Sequence, residues 1–154
     1  MTAGNSSGLN DGATALLLAS GEAVKKYSLK PRAKIIASGS AGVEPRIMGI
    51  GPVEAANKAL KKAGLKMSDM DVIELNEAFA AQSLACTRSW GLKDNDPRIN
   101  PNGGAIALGH PLGMSGARIL NSASIELQDQ NKKYALVTMC IGVGQGYAVI
   151  IERM

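Results

Sequence analysis

Few side chains in this sequence can do chemistry, and the most conspicuous is a lone imidazole. His110 stands in Asn102-Gly-Gly-Ala-Ile-Ala-Leu-Gly-His-Pro-Leu-Gly-Met-Ser-Gly-Ala-Arg118, among five glycines and one proline. The stretch runs into a helical pattern. It therefore puts the ring near a helix N-terminus, where free N–H groups and the dipole favour negative charge and hold a histidine neutral. A neutral imidazole there can donate to an oxyanion or take up a proton; the plainer alternative is a capping or core histidine. Glycines on both sides permit unusual backbone angles and close approach of a ligand, which a space-filling histidine does not require. Phosphate cradling is a poor fit, because no lysine followed by Ser or Thr accompanies the glycines.

The other candidates are a thiol and an amide. Cys140 ends an apolar strand pattern immediately before Gly142-Val-Gly144-Gln-Gly146, so its sulfur can sit at a strand tip beside backbone N–H groups; a buried structural cysteine is the ordinary alternative. The glycines that follow it do not make a dinucleotide loop, since a strand follows where a helix should begin. Asn76, in Asn76-Glu-Ala-Phe-Ala80, follows a strand tip and opens a helical pattern, where it could serve simply as a cap. Cys86 lies inside an alanine-rich helix with nothing near it in sequence to activate it, and reads as packing. Asn76, His110 and Cys140 all fall where strands meet loops, the usual place for sites in open α/β sheets.

The elements that must position them alternate. A turn-rich opening, Met1 to Gly12, runs into Ala13-Thr-Ala-Leu-Leu-Leu-Ala-Ser20, an apolar run of strand length. A short helix over Gly21 to Tyr27 precedes a strand at Ala33 to Ser38 and a glycine-rich loop. Pro52 at a first helical position, Gly64 just past a last turn, and Val53, Ala56, Leu60 and Ala63 on one face predict a helix. A strand at Asp71–Leu75, a helix from Glu77 to Trp90, a helix from about Ser115 to Gln128, and strands at Tyr134–Met139 and Gly146–Glu152 complete the pattern. The order βαβαβαββ predicts one α/β domain with a five-stranded mixed sheet, mostly parallel with one antiparallel strand at the end, and helices on both faces.

Composition narrows the function classes. The 154 residues are 45% hydrophobic, 19% charged and 3% aromatic, the balance of a folded domain with an aliphatic core. A net charge of +4 is spread over helical segments as a solvated face, and so few aromatics provide no base-stacking platform, so no nucleic-acid partner is expected. No apolar run approaches a membrane span and no signal segment opens the chain, so the expectation is a cytoplasmic protein with no membrane partner. Two cysteines and one histidine make neither a disulfide framework nor a zinc site, so no metal is expected.

Taken together, these blocks resemble the C-terminal half of a thiolase of the acetyl-CoA acetyltransferase type. The resemblance rests on Gly4-Asn-Ser-Ser-Gly-Leu-Asn-Asp-Gly-Ala13, Met48-Gly-Ile-Gly-Pro52, Asn76-Glu-Ala-Phe79, Asn102 to Pro111, and Cys140-Ile-Gly-Val-Gly-Gln-Gly146, and covers nearly the whole chain, residues 1–154. It implies that His110 activates a nucleophilic cysteine and helps bind the thioester oxygen. Asn76 would orient a water in that oxyanion hole, Cys140 would move the α-carbon proton, and Gly142 would offer a backbone N–H to the acyl-enzyme oxyanion. Met48 and Phe79 would line the acyl pocket. Coenzyme A enters as substrate, and no cofactor is implied. The resemblance also implies that the acylated cysteine belongs to an N-terminal half absent here. Two hypotheses follow: a thiolase C-terminal half, competent only with its other half and homo-oligomeric, or a freestanding non-catalytic domain binding a partner or acyl-CoA. Retention of base, activator and oxyanion groups together favours the first. The ketoacyl synthases share a similar fold but use two histidines beside their cysteine, and one histidine disfavours that reading.

Overall fold

The computed structural model describes all 154 residues. Five helices and four strands follow one another as α1 (Gly21–Lys26), β1 (Ala33–Gly42), α2 (Gly51–Ala63), β2 (Val72–Leu75), α3 (Ala80–Ser89), α4 (Ala105–Leu108), α5 (Leu112–Asp129), β3 (Tyr134–Ile141) and β4 (Gln145–Arg153). Short 3-10 turns occupy Ala3–Asn5, Pro45–Ile50 and Met67–Asp69. The strands form one sheet in the order β1-β4-β3-β2.

Strand alternation sorts the core into two layers. On one face Ala55, Ala56, Ala59 and Leu60 of α2 pack against Ile73, Leu136, Ala148 and Ile150. On the other, Ile119, Ala123 and Leu127 of α5 pack against Val72, Ala135, Val137 and Ile151. Helices thus cover both faces, as the sequence predicts. Small residues set the spacing: a Cβ at Gly39 would run into the carbonyl of Ala55 and come within 2.8 Å of the Ala59 nitrogen, so α2 lies on the bare backbone of β1. The start of α2 makes the same kind of contact. A Cβ at Gly146 would overlap the Gly51 carbonyl group and sit 2.6 Å from the Pro52 nitrogen, all backbone atoms that cannot swing away. Gly146→Ala is therefore expected to cost about 3 kcal/mol through overpacking, lowering Tm by roughly 10 °C at this chain length. Gly113→Ala, which lies in α5 and meets nothing within 4 Å, serves as the control whose Tm holds or rises slightly in the same thermal melt.

Three expectations are corrected. The sheet has four strands and not five, because Ala13–Ser20 forms no ladder; Leu17 is 83% and Leu18 71% exposed. An apolar run becomes a strand only where a neighbour supplies hydrogen bonds, and β1 and β2, which hold the two edges, do not pair with it. Strand directions are as expected, β1, β2 and β3 running one way and β4 alone reversed, but β4 lies inside the sheet between β1 and β3, so only the β2–β3 pairing is parallel while β3–β4 and β4–β1 are antiparallel. A three-residue turn dictates the first antiparallel pair, and β1 then adds to the far side of β4. Finally, α3 starts at Ala80, three residues later than predicted. Asn76 to Phe79 stay outside it because Ser6 and Ser7 bridge to Phe79 and Ala78, with the Ser7 N–H donating to the Ala78 carbonyl at 3.1 Å.

Candidate active site

At one end of the sheet, β2 finishes beside Thr138 of β3, which runs on to Ile141. Leu75 pairs with Thr138, and the next N–H, that of Asn76, donates to the Thr138 carbonyl at 3.0 Å. Asn76 is not the cap of α3, a position Phe79 occupies. Its side chain is instead 1% exposed, and its Nδ2 lies 3.4 Å from His110 Nε2.

His110 is fixed from several sides. Its backbone N–H donates to the Gly8 carbonyl at 3.0 Å, and Asn10 Oδ1 lies 3.3 Å away; a Cβ at Gly109, whose φ is +92°, would overlap that same Asn10 side chain. The ring Nδ1 is 2.6 Å from Ser115 Oγ, which in turn donates to the Pro111 carbonyl at 3.0 Å. In the tautomer in which the serine hydroxyl donates to that carbonyl, Nδ1 carries the ring proton and donates to Oγ. Nε2 is left as the acceptor, facing the long and weak contact from Asn76. Burial pushes the His110 pKa below its ordinary value, and the Arg118 guanidinium pushes it further the same way. The outcome is a neutral imidazole with its lone pair held toward Asn76.

Cys140 lies on β3 two residues beyond Thr138, opposite Gly146, and is 7% exposed. Burial pushes its thiol pKa up, opposed by a hydrogen bond from its own backbone. Alternation along β3 gives Leu136 to the α2 side and Met139, whose sulfur approaches Gly116, to the α5 side. Cys140 therefore leaves the strand on the α2 side, and no hydrogen bond links it to His110 or Asn76. The structure brings Asn76 and His110 into contact and places Cys140 at the same sheet end from the opposite face.

The remaining sequence-derived residues surround this end. Met48, partly buried, belongs to the turn Pro45–Ile50. Cys86 donates its thiol to the adjacent Gly49 carbonyl at 3.3 Å, and Gln82 packs so closely on Gly49 that a Cβ there would come within 2.8 Å of Cγ. Cys86 is fully buried and burial pushes its pKa to about 11, which fits a packing thiol. Phe79 is partly buried beside the N-terminal arm, and Gly142 is exposed in the turn between β3 and β4. The chain contains no group of three or more His, Cys, Asp or Glu that could hold a metal ion, and no helix is long and apolar enough to cross a membrane.

Sequence reasoning passed over Ser115, Arg118 and the Gly8–Asn10 arm as supports of the imidazole. It also passed over Glu74, a carboxylate inside Val72-Ile-Glu-Leu75, a strand buried along its whole length.

This arrangement has relatives. The model of the thiolase C-terminal domain matches residues 29–153. The chain belongs to the thiolase family. It is 66% identical over its full length to the beta-ketoadipyl-CoA thiolase of Acinetobacter baylyi, covering 38% of that protein. It is 62% identical to the 3-oxoadipyl-CoA/3-oxo-5,6-dehydrosuberyl-CoA thiolase of Escherichia coli, again over 38% of that protein. The crystal structure of human mitochondrial 3-ketoacyl-CoA thiolase superposes with a TM-score of 0.96 at 54% identity, covering all of this chain and 39% of that one. The same human thiolase has also been solved in complex with CoA. This thiolase chain thus spans about two fifths of the length of the relatives it matches.

Proposed function

We propose that this chain is the C-terminal catalytic half of a thiolase that moves acyl groups between acyl-CoA and CoA, by thiolysis of a 3-oxoacyl-CoA or the reverse Claisen condensation. The observation that carries the proposal is the partly buried His110 ring, held by Ser115 and Asn76 with Nε2 free as an acceptor. A lone pair so placed can take the proton of a nucleophilic thiol and, once protonated, donate to the thioester oxygen. Asn76 Oδ1 is buried and makes no hydrogen bond within the chain, which suits it to hold a water as a second donor to that oxygen. Cys140 handles the α-carbon proton. Gly142 gives its N–H to the acyl-enzyme oxyanion, and Met48 and Phe79 line the acyl pocket. The nucleophilic cysteine comes from the N-terminal portion of the enzyme, so residues 1–154 alone are inactive, and the assembled enzyme is a homo-oligomer.

The relatives at 59% to 66% identity named for beta-ketoadipyl-CoA or 3-oxoadipyl-CoA point to a dicarboxylic 3-oxoacyl-CoA as the substrate class. The test is complementation. The chain is mixed with the separately expressed N-terminal portion of the Acinetobacter thiolase, and CoA-dependent cleavage of 3-oxoadipyl-CoA and acetoacetyl-CoA is followed. Activity on mixing, absent from either part alone and faster with the dicarboxylic substrate, is the expected result. A complex that forms but cleaves neither substrate would overturn the catalytic reading in favour of a non-catalytic binding domain.

A further inference from the structure

The peptide that carries His110 is gripped by a residue with no part in the chemistry so far described. Arg118 Nη2 donates to the Gly109 carbonyl at 2.9 Å, while the N–H of the same peptide unit donates to the Gly8 carbonyl. Both polar ends of the Gly109–His110 peptide are thereby held, and that peptide sets where the imidazole points. Arg118 lies on α5, and on the strand facing that helix sits Glu74, only 3% exposed, with Oε1 making no hydrogen bond. A buried carboxyl without a partner is costly unless a cation balances it. The charged groups acting on Glu74 are Arg118 and Glu126 from α5 and Glu77 from just beyond β2. Glu126 accepts from Asn102 at 2.7 Å, and Glu77 accepts from Asn100 at 3.0 Å and from the Ile106 N–H at 3.2 Å, so both acids are engaged elsewhere and only repel. Arg118 is the one group in that set that attracts. It is also the one charged group acting on His110.

We propose that Arg118 is a positioning residue for His110, its guanidinium clamping the Gly109–His110 peptide, with the buried Glu74 carboxyl as a longer-range counter-charge that forms no ion pair or hydrogen bond with it. The planar, directional donors of arginine suit a single carbonyl better than a lysine ammonium does. Burial pushes the Glu74 pKa from its ordinary 4.5 to about 7. Above that value the carboxyl adds a negative charge on the α5 side of the sheet that offsets the field of Arg118 at His110 without forming an ion pair. The functional meaning rests on His110 acting as proposed above, but its test does not depend on turnover.

His110 is the only histidine, so its ring Hε1 gives one NMR signal that can be titrated in the intact 154-residue chain. In the wild type the expected curve has its main inflection below the ordinary histidine value and a smaller one near pH 7 from Glu74. R118M is expected to raise the His110 pKa by about half a pH unit or more, as a nearby positive charge is lost, and to speed exchange of the His110 backbone N–H about tenfold or more as the peptide loosens. R118K keeps the charge, so the His110 pKa stays near wild type while amide protection still falls. E74Q, nearly isosteric, removes the inflection near pH 7. Should R118M fail to give a dispersed spectrum, the amide exchange of R118K and the titration of E74Q decide. Unchanged His110 amide protection in R118K, or a second inflection that persists in E74Q, would overturn the proposal. Failure of the complementation assay with these shifts intact would count against the catalytic reading alone.

Discussion

Cys140→Ala, tested in the enzyme reassembled with its N-terminal portion, is expected to lower turnover of the 3-oxoacyl-CoA by about a hundredfold to ten-thousandfold, the usual worth of a positioned acid–base group. In thiolysis the nucleophilic thiolate adds to the 3-keto carbon and the bond between the α- and β-carbons breaks. The electron pair passes to the α-carbon of the departing acetyl-CoA, which must receive a proton. Cys140 is fit to supply it. Burial raises its pKa, so the thiol is protonated at rest, and its thiolate, once formed, is a correspondingly strong base for the reverse direction. The loss should fall on the carbon-proton step and spare acylation of the nucleophile. Single-turnover acyl transfer from acetyl-CoA separates the two, and a variant with undiminished condensation and thiolysis would remove Cys140 from the mechanism. The position also explains Gly146: as the register partner of Cys140 it is pressed on the start of α2, so the strand tip carrying the sulfur is braced by a backbone contact that no larger residue allows.

How much of this is legible in the sequence depends on the range of the interaction responsible. Helix α2 could be read almost to the residue, because Pro52, Gly64 and the apolar face between them are local signals; Gly64 adopts φ +68°, as a left-handed cap requires. The β3–β4 hairpin was legible for the same reason. Ala13–Ser20 misled, since its apolar run is a local statement about strand propensity whereas strand formation depends on a neighbour these residues do not provide. The delayed start of α3 was hidden too, because what holds Asn76 to Phe79 extended is an arm some seventy residues earlier in the chain. At the site, glycines and a single histidine flagged His110, and block order tied it to Asn76. The supports were invisible for a physical reason: Ser115 and Arg118 act on His110 through the helix that follows it, and neither contact leaves a motif. The sequence also had no means of showing that Asn76 and Cys140 leave neighbouring strands on opposite faces, a consequence of the parallel register of β2 and β3.

His110→Asn is expected to cost more than any other substitution, about a thousandfold or more in kcat/KM of the reassembled enzyme, because in the proposed mechanism one ring serves both as proton acceptor for the nucleophile and as oxyanion donor. An asparagine keeps a polar group but cannot exchange a proton. The pH profile gives a second, independent reading. The folded chain holds His110 neutral with a pKa below the ordinary 6.5, so activity that needs the Nε2 lone pair should persist to lower pH than a free imidazole would allow and then fall along an acid limb. In His110→Asn that limb should vanish with the activity it governs. Stability follows the same sign. As pH falls through 6.5 the unfolded chain takes up the proton before the folded one does, so folding stability declines in that window, and the variant should lose that part of the decline. The opposite trend belongs to Glu74: the folded chain keeps its proton between 4.5 and about 7, so its burial costs increasingly more as pH rises through that range. Thermal melts of the wild type, His110→Asn and Glu74→Gln across pH 4 to 8 resolve the two slopes, and a His110 variant whose acid-side slope matched the wild type would contradict the partly buried neutral imidazole on which the proposed chemistry depends.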